Sequence, residues 1–224
     1  MLYGIDDKHQ IVSYNTNIYA LYNAVFKEVD DPYDIDLLLH LRSRESDSAK
    51  KIILSQSYAE ILLVFDFDPH DPQYSDEKIR EMMAVFSEST EMGKLYINYT
   101  MLEAFYHVKG IPDGNYNSYT VSMLELETKV YKGRVGRESC ANHYSSFPAN
   151  LADSNVLIRQ NIAKSWCVLD ASEHNENIPP DLSPILEAQL VKMKCKQEIA
   201  VLCTCVFYIS DYNPELLNKQ TLEN

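Results

Sequence analysis

A chain of 224 residues with 46% hydrophobic and 24% charged side chains has the composition of an ordinary globular protein, which excludes global disorder. Its 33 acidic and 20 basic side chains give a net charge of −13, which repels a nucleic-acid backbone at long range. Generic coating of DNA or RNA is thereby excluded, but a local grip on nucleic acid through metal ions is not. No apolar run reaches the ~18–20 residues that cross a bilayer. The N-terminal MLYGIDD has neither the basic stretch nor the apolar core of a signal peptide. The expectation is a soluble cytoplasmic protein with no membrane partner. The five cysteines, Cys140, Cys167, Cys195, Cys203 and Cys205, form no CxxC pair and read as buried structural thiols.

In chain order, QIVSY (10–14) is a short β-type run. Asn15, Thr16 or Asn17 then caps a helix through Ile18, Leu21, Tyr22, Val25 and Phe26, which recur at helical spacing. Asp30-Asp31-Pro32 breaks it, and a second helical region covers 34–57 with an uneven apolar stripe. The run EILLVFDFD (60–68) places five consecutive apolar residues between polar ones, as in a central strand buried on both faces. Pro69, Asp71 and Pro72 end it. Ser75 begins a helix through Ile79, Met82, Met83 and Phe86, with Asp76 and Glu77 in its first turn, where the helix dipole favours negative charge. Gly93 stops that region, and KLYIN (94–98) is the next strand, so strand, helix and strand make a parallel βαβ unit.

Beyond Gly110 the expected helices are 121–132, 155–172 and 184–194, separated by loops rich in Asn, Pro and Ser. The run 199–209 reads either as a strand returning to the sheet or as a buried helix. Cys203 and Cys205 face one side of it if it is a strand. The fold class that follows is α/β, a central and mostly parallel sheet covered by helices, with a helical C-terminal part. Residues 1–110 make the α/β core, and 111–224 make an extension packed on that core.

The chemistry concentrates at Asp66-Phe67-Asp68. A strand ending in Asp-x-Asp delivers its acids to the carboxyl edge of the sheet, where open α/β folds place their sites. Strand periodicity puts Asp66 and Asp68 on one side and Phe67 on the other. Two such carboxylates repel unless a cation lies between them, and hard cations such as Mg²⁺ or Mn²⁺ take carboxylate oxygens. Asp71 and His70 follow in the loop; the plainer reading of these acids is as caps of the turn and the next helix. A second patch, YTMLEAFYH (99–107), starts a helix on which Glu103 and His107 face one direction. A helix N-terminal acid and a surface histidine would look the same.

An apolar strand ending in DFDPHD, a helix, a short strand and an LEAFYH helix together resemble Toprim-like proteins of the RloB and OLD type, over about residues 10–110. That resemblance implies a compact βα core binding Mg²⁺ for phosphodiester chemistry, a nuclease in phage defence and a partner ATPase. By it Asp66 and Asp68 are metal ligands with Asp71 beside them, Glu103 is a nearby catalytic acid or a group that supports the ligands, and His107 accompanies it. The sequence departs from the family at the first strand. There a glutamate is usual, and Val12-Ser13-Tyr14-Asn15-Thr16-Asn17 contains none; Asp6 or Asp7 could stand in only if the first strand is 2–5. Without that group, proton transfer worth about 10²–10⁴-fold is missing. A catalytically inactive Toprim-like interaction module therefore stands beside the nuclease.

LLVFDFD also resembles the first motif of haloacid-dehalogenase-type phosphatases, but Pro69-His70 and sixty residues upstream depart from that pattern. For a sugar-nucleotide transferase with DxD, too little chain precedes the motif to make the nucleotide-binding fold. The chain's 16 tyrosines suit base stacking, a protein interface or, more simply, the edge of a core.

Overall fold

The computed structural model describes residues 3, 10, 12, 16–27, 29, 31–141, 143–172 and 175–218. Helix α1 (Ile18–Val25) begins as its sequence predicts: Asn17 Oδ1 accepts the Ala20 N–H at 2.7 Å, and Ile18, Leu21 and Val25 are buried along one face. The strand expected over 10–14 falls largely outside the described residues, as do Asp6 and Asp7. The single helical region expected over 34–57 divides into α2 (Leu37–Arg44) and α3 (Ser48–Ile53). Asp36 caps the first and Asp47 the second, so a new helix starts where the apolar stripe is interrupted.

Strand β1 (Leu62–Asp66), helix α4 (Asp76–Val85) and strand β2 (Lys94–Tyr99) form the expected βαβ unit, with β1 and β2 parallel. Ser75 caps α4. Asp76 does more than complement the helix dipole, because it also pairs with Lys194 and ties α4 to the C-terminal half.

Two expectations about the sheet need correction. Its order is β1-β2-β5, where β5 (Leu202–Cys203) runs antiparallel to β2. The sheet is therefore mixed rather than mostly parallel. Among the described residues β1 lies at the edge, and Val64 is 48% exposed. The strand buried throughout is β2, where every residue from Leu95 to Tyr99 is at most 1% exposed. Five apolar residues in a row signal a strand but do not separate an edge from a centre.

The expected helix 121–132 is three elements: strand β3 (Thr120–Ser122), α5 (Met123–Glu127) and α6 (Tyr131–Glu138). Ser122 and Glu125 form a reciprocal capping box that starts α5, and Lys129 at φ 57° turns the chain before α6. Helix α7 (Leu151–Val168) starts four residues earlier than expected because Asn150 caps it. Helix α8 (Leu182–Lys196) ends at Gln197 in the left-handed conformation.

Both readings of 199–209 hold in part. Strand β4 (Glu198–Ala200) pairs with β3, β5 joins the main sheet, and α9 (Phe207–Tyr212) follows. Helix α4 packs on α1, α8 and β2, while α7 packs on β5 and α8, so one continuous core covers both halves of the chain. The result is a mixed α/β fold. No helix among the described residues is long and apolar enough to cross a membrane.

Candidate functional site

Pairing register decides which side chains gather at the carboxyl end of β1. Asp66 lies opposite Asn98 of β2, and Asn98 lies opposite Cys203 of β5, so the three form a row across the sheet. Asp66 and Asp68 are exposed and Phe67 is 1% exposed, as strand alternation predicts. Glu103 comes from a 3-10 helix (Leu102–Tyr106) immediately after β2 and stands close enough to raise the Asp66 pKa.

That carboxyl is pushed up to about 6, first by the protein packed around it and then by the negative charge of Glu103. The Leu102 N–H and the Asn98 amide oppose the rise. Glu103 itself is held by Lys132 of α6 at 2.6 Å; the Lys132 side chain is 73% exposed and that of Glu103 only 17%. Such a half-open ion pair contributes little, about 0–1 kcal/mol. Asn98 Oδ1 accepts the Cys205 N–H at 3.4 Å, a contact that orients the amide, and among the described residues the buried Thr100 Oγ1 makes no hydrogen bond.

The remaining residues expected at this site are engaged elsewhere. Asp71 is structural: Oδ1 accepts the Gln73 N–H at 2.7 Å and Oδ2 accepts from Asn17 Nδ2 at 2.6 Å, so it closes a turn and ties it to the cap of α1. Asp68 Oδ1 accepts the His70 N–H at 3.1 Å, which caps the same loop but leaves its other oxygen open to solvent. His70 Nε2 lies 3.1 Å from the Met123 carbonyl and docks the loop on α5.

His107 departs furthest from expectation. It is 0% exposed, with Nδ1 3.1 Å from Tyr131 Oη, Nε2 3.3 Å from Glu138 Oε2, and its ring stacked on Tyr119 at 4.9 Å. Burial lowers its pKa, and Glu138 only partly offsets this. The expected pairing with Glu103 assumed an α-helix. In a 3-10 helix with three residues per turn, positions four apart are about 120° out of register. His107 therefore points into the core and Glu103 towards Asp66.

Asn98, Lys132 and Cys203 belong to the site without having been singled out for it. Asn98 left a faint signal as a polar residue inside the apolar strand LYINY. Lys132 left none. Among the described residues, no group of three or more His, Cys, Asp or Glu side chains is arranged to hold a metal ion. The cluster is a carboxylate pair, Asp66 and Glu103, with Asp68 at its rim.

Its electrostatics have a measurable consequence. The folded-state Asp66 pKa, about 6, lies above the ordinary 3.8, so folded protein keeps a proton that the unfolded chain has lost between those values. Stability therefore falls as pH rises through that window. Because Asp66 is open to solvent, screening limits the penalty at neutral pH to about 1 kcal/mol. Asp66→Asn is expected to raise Tm by about 2–4 °C at pH 7 and to leave it unchanged near pH 3.5. Thermal melts at the two pH values check this; equal shifts at both would show that Asp66 carries no such charge penalty.

Comparison with protein-family models, curated proteins and solved structures gives no match to this chain in any of the three.

Proposed function

We propose that this chain is Toprim-like, that its acidic strand end binds a divalent cation, Mg²⁺ or Mn²⁺, and that the protein acts as a nuclease on nucleic-acid phosphodiesters. One observation carries the reading. Asp66 is held at the carboxyl end of a parallel βαβ unit beside Glu103, and the two carboxylates oppose each other's charge with, among the described residues, the exposed Lys132 to balance them. The donor set fits a hard cation. Among the described residues no three acids converge, but Asp66 with either Asp68 or Glu103 offers carboxylate oxygens alone, and Mg²⁺ is commonly held by one or two carboxylates plus waters and substrate phosphates.

A cation bound there supplies charge neutralisation at the scissile phosphate and a more acidic water. Asp66 and Asp68 would hold it, and Glu103 stands beside them as the acid able to take a proton from water. Lys132, on a weak ion pair, is free to turn to a phosphate oxygen. By the same likeness the setting would be phage defence alongside a partner ATPase.

A second reading, a catalytically inactive interaction module, is favoured by the withdrawal of His107 into the core and the use of Asp71 as a turn cap. Both remove groups expected to assist proton transfer or metal binding.

Calorimetric titration of Mn²⁺ separates these possibilities. Saturable binding is expected for the wild type, weakened at least about tenfold in Asp66→Asn/Asp68→Asn, with metal-dependent cleavage of single- or double-stranded DNA or RNA lost in the same variant. Binding without cleavage supports the inactive module. No saturable binding to folded wild type overturns the cation site altogether. Lys132→Ala is expected to tighten Mn²⁺ by about 2–5-fold, the value of an exposed ion pair that the cation no longer has to displace. Unchanged or weaker affinity would mean that Lys132 does not compete for Glu103.

A further inference from the structure

At the far end of the row Asp66, Asn98 and Cys203 lies a second reactive group that the cation reading does not use. Cys203 and Cys205 place their sulfur atoms 3.3 Å apart, and neither is in a disulfide. They differ in access, since Cys203 is buried and Cys205 is partly open to solvent. Between them Thr204 is clamped to β2: its Oγ1 accepts the Ile97 N–H at 2.9 Å and donates to the Ile97 carbonyl at 2.8 Å. With Thr204 fixed to one side, both flanking thiols turn to the other, towards Asn98, whose Oδ1 accepts from Cys203 Sγ at 3.3 Å.

We propose that Cys203 and Cys205 are a reversible dithiol–disulfide couple, in which partly exposed Cys205 reacts first with a hydroperoxide and buried Cys203 resolves it. A disulfide S–S bond is about 2.05 Å, and Cα atoms two residues apart lie within the range that disulfides bridge, so closure needs movement of little more than an ångström. The pair is not two unrelated buried thiols. Their contact, unequal access and common orientation are the arrangement of an attacking thiol with a resolving partner.

The steps balance. Cys205 sulfur attacks the peroxide O–O bond and becomes a sulfenic acid, while the peroxide is reduced by two electrons and leaves as an alcohol or water. Cys203 sulfur then attacks the Cys205 sulfur, the S–S bond forms, and the sulfenic hydroxyl leaves as water with the Cys203 proton. A small dithiol reverses the change by supplying two electrons and two protons and becoming a disulfide itself. Oxidation removes the thiol proton that Asn98 Oδ1 accepts, and Asn98 is the side chain between Cys203 and Asp66 in the row. The proposal does not depend on a cation at Asp66.

Trypsin isolates both cysteines in one peptide, 197–219, apart from the other three. Native protein is treated with about one equivalent of hydrogen peroxide, alkylated, digested and weighed. The expected product is that peptide lighter by two hydrogen atoms, closed to alkylation and reopened by dithiothreitol. In Cys203→Ser, Cys205 is expected to accumulate as a sulfenic acid trapped by dimedone. In Cys205→Ser, Cys203 is expected to stay a thiol. A wild-type peptide in which both thiols still alkylate, or in which Cys205 passes to sulfinic acid while Cys203 remains free, overturns the couple; the wild-type readout stands even if a variant fails to fold.

Discussion

Replacing Gln189 by leucine is expected to destabilise the protein by about 3–5 kcal/mol, a large share of the ~5–15 kcal/mol that holds a typical domain folded. Gln189 lies on α8 and is 0% exposed. Its Oε1 accepts the Ala200 N–H at 2.9 Å and its Nε2 donates to the Ala200 carbonyl at 2.9 Å. Ala200 belongs to β4, where the bonds to β3 are made by its neighbours, as in the Val201 N–H to Tyr119 carbonyl at 3.0 Å. Antiparallel pairing alternates, so Ala200 turns both backbone groups away from β3. The glutamine side chain takes the place of a missing strand.

Leucine fits the space but leaves a buried donor and a buried acceptor without partners, each worth about 1–3 kcal/mol. Urea unfolding at pH 7 checks the loss, and a change below about 1 kcal/mol would show that water or a backbone shift replaces the amide. Gln189→Glu sharpens the test. A protonated carboxyl can donate and accept as the amide does, but a carboxylate cannot donate, so this variant should recover stability as pH falls towards 4.

The second large effect is one of pH. Lys164 on α7 is 0% exposed, and its Nζ donates to the carbonyls of Tyr116 at 2.7 Å and Tyr119 at 2.8 Å. Two acceptors suit the two N–H bonds of an uncharged amine. The Tyr116 ring, 4.4 Å from Nζ, favours the cation, but burial prevails and, with Lys192 nearby, pushes the pKa down from 10.5 to about 7. From about pH 7 towards 10.5 the unfolded chain therefore still holds a proton that the folded protein has released. This lysine makes stability rise with pH through that window, by up to about 1.4 kcal/mol per pH unit.

Lys164→Met removes both the titration and the two hydrogen bonds. Each carbonyl keeps another donor, Tyr119 N–H on Tyr116 and Val201 N–H on Tyr119, so the direct loss is about 2 kcal/mol where the lysine is neutral. The stability difference between wild type and variant is expected to swing by about 3 kcal/mol in favour of wild type between pH 6.5 and 9.5. Other titrating groups are common to both proteins and cancel in that difference. Parallel stability curves would mean that Lys164 is charged throughout or uncharged throughout.

These two residues also show where the sequence stops being informative. On paper Lys164 and Gln189 are polar residues within helices that show little separation of apolar and polar faces, and they look like solvent-facing residues. Only tertiary packing reveals that each replaces a backbone partner. The βαβ unit was legible because its signals are local: an apolar run, a Ser75 cap, Gly93 and a second apolar run. The edge position of β1 was not legible, since strand order depends on pairings between distant segments.

The candidate site divides in the same way. Asp66 and Asp68 could be placed together from alternation within a single strand. The parallel arrangement alone brings Glu103 beside Asp66, whereas an α-helical period of 3.6 misplaces His107 after a segment with three residues per turn. The row Asp66, Asn98 and Cys203 exists only through two registers, one parallel and one antiparallel, and neither is written in local spacing.

Strand β2, the most deeply buried strand of the main sheet, has one neighbour thirty residues upstream and another about a hundred residues downstream. During synthesis its far side therefore stays open until Cys203 has left the ribosome, long after the βαβ unit has been made. In that interval an apolar strand edge is exposed in a half-finished chain, which makes this the stage most dependent on chaperones. It also means that a nascent chain stalled before β5 should be captured by an unfolded-protein binder, whereas the full chain released from the ribosome should not.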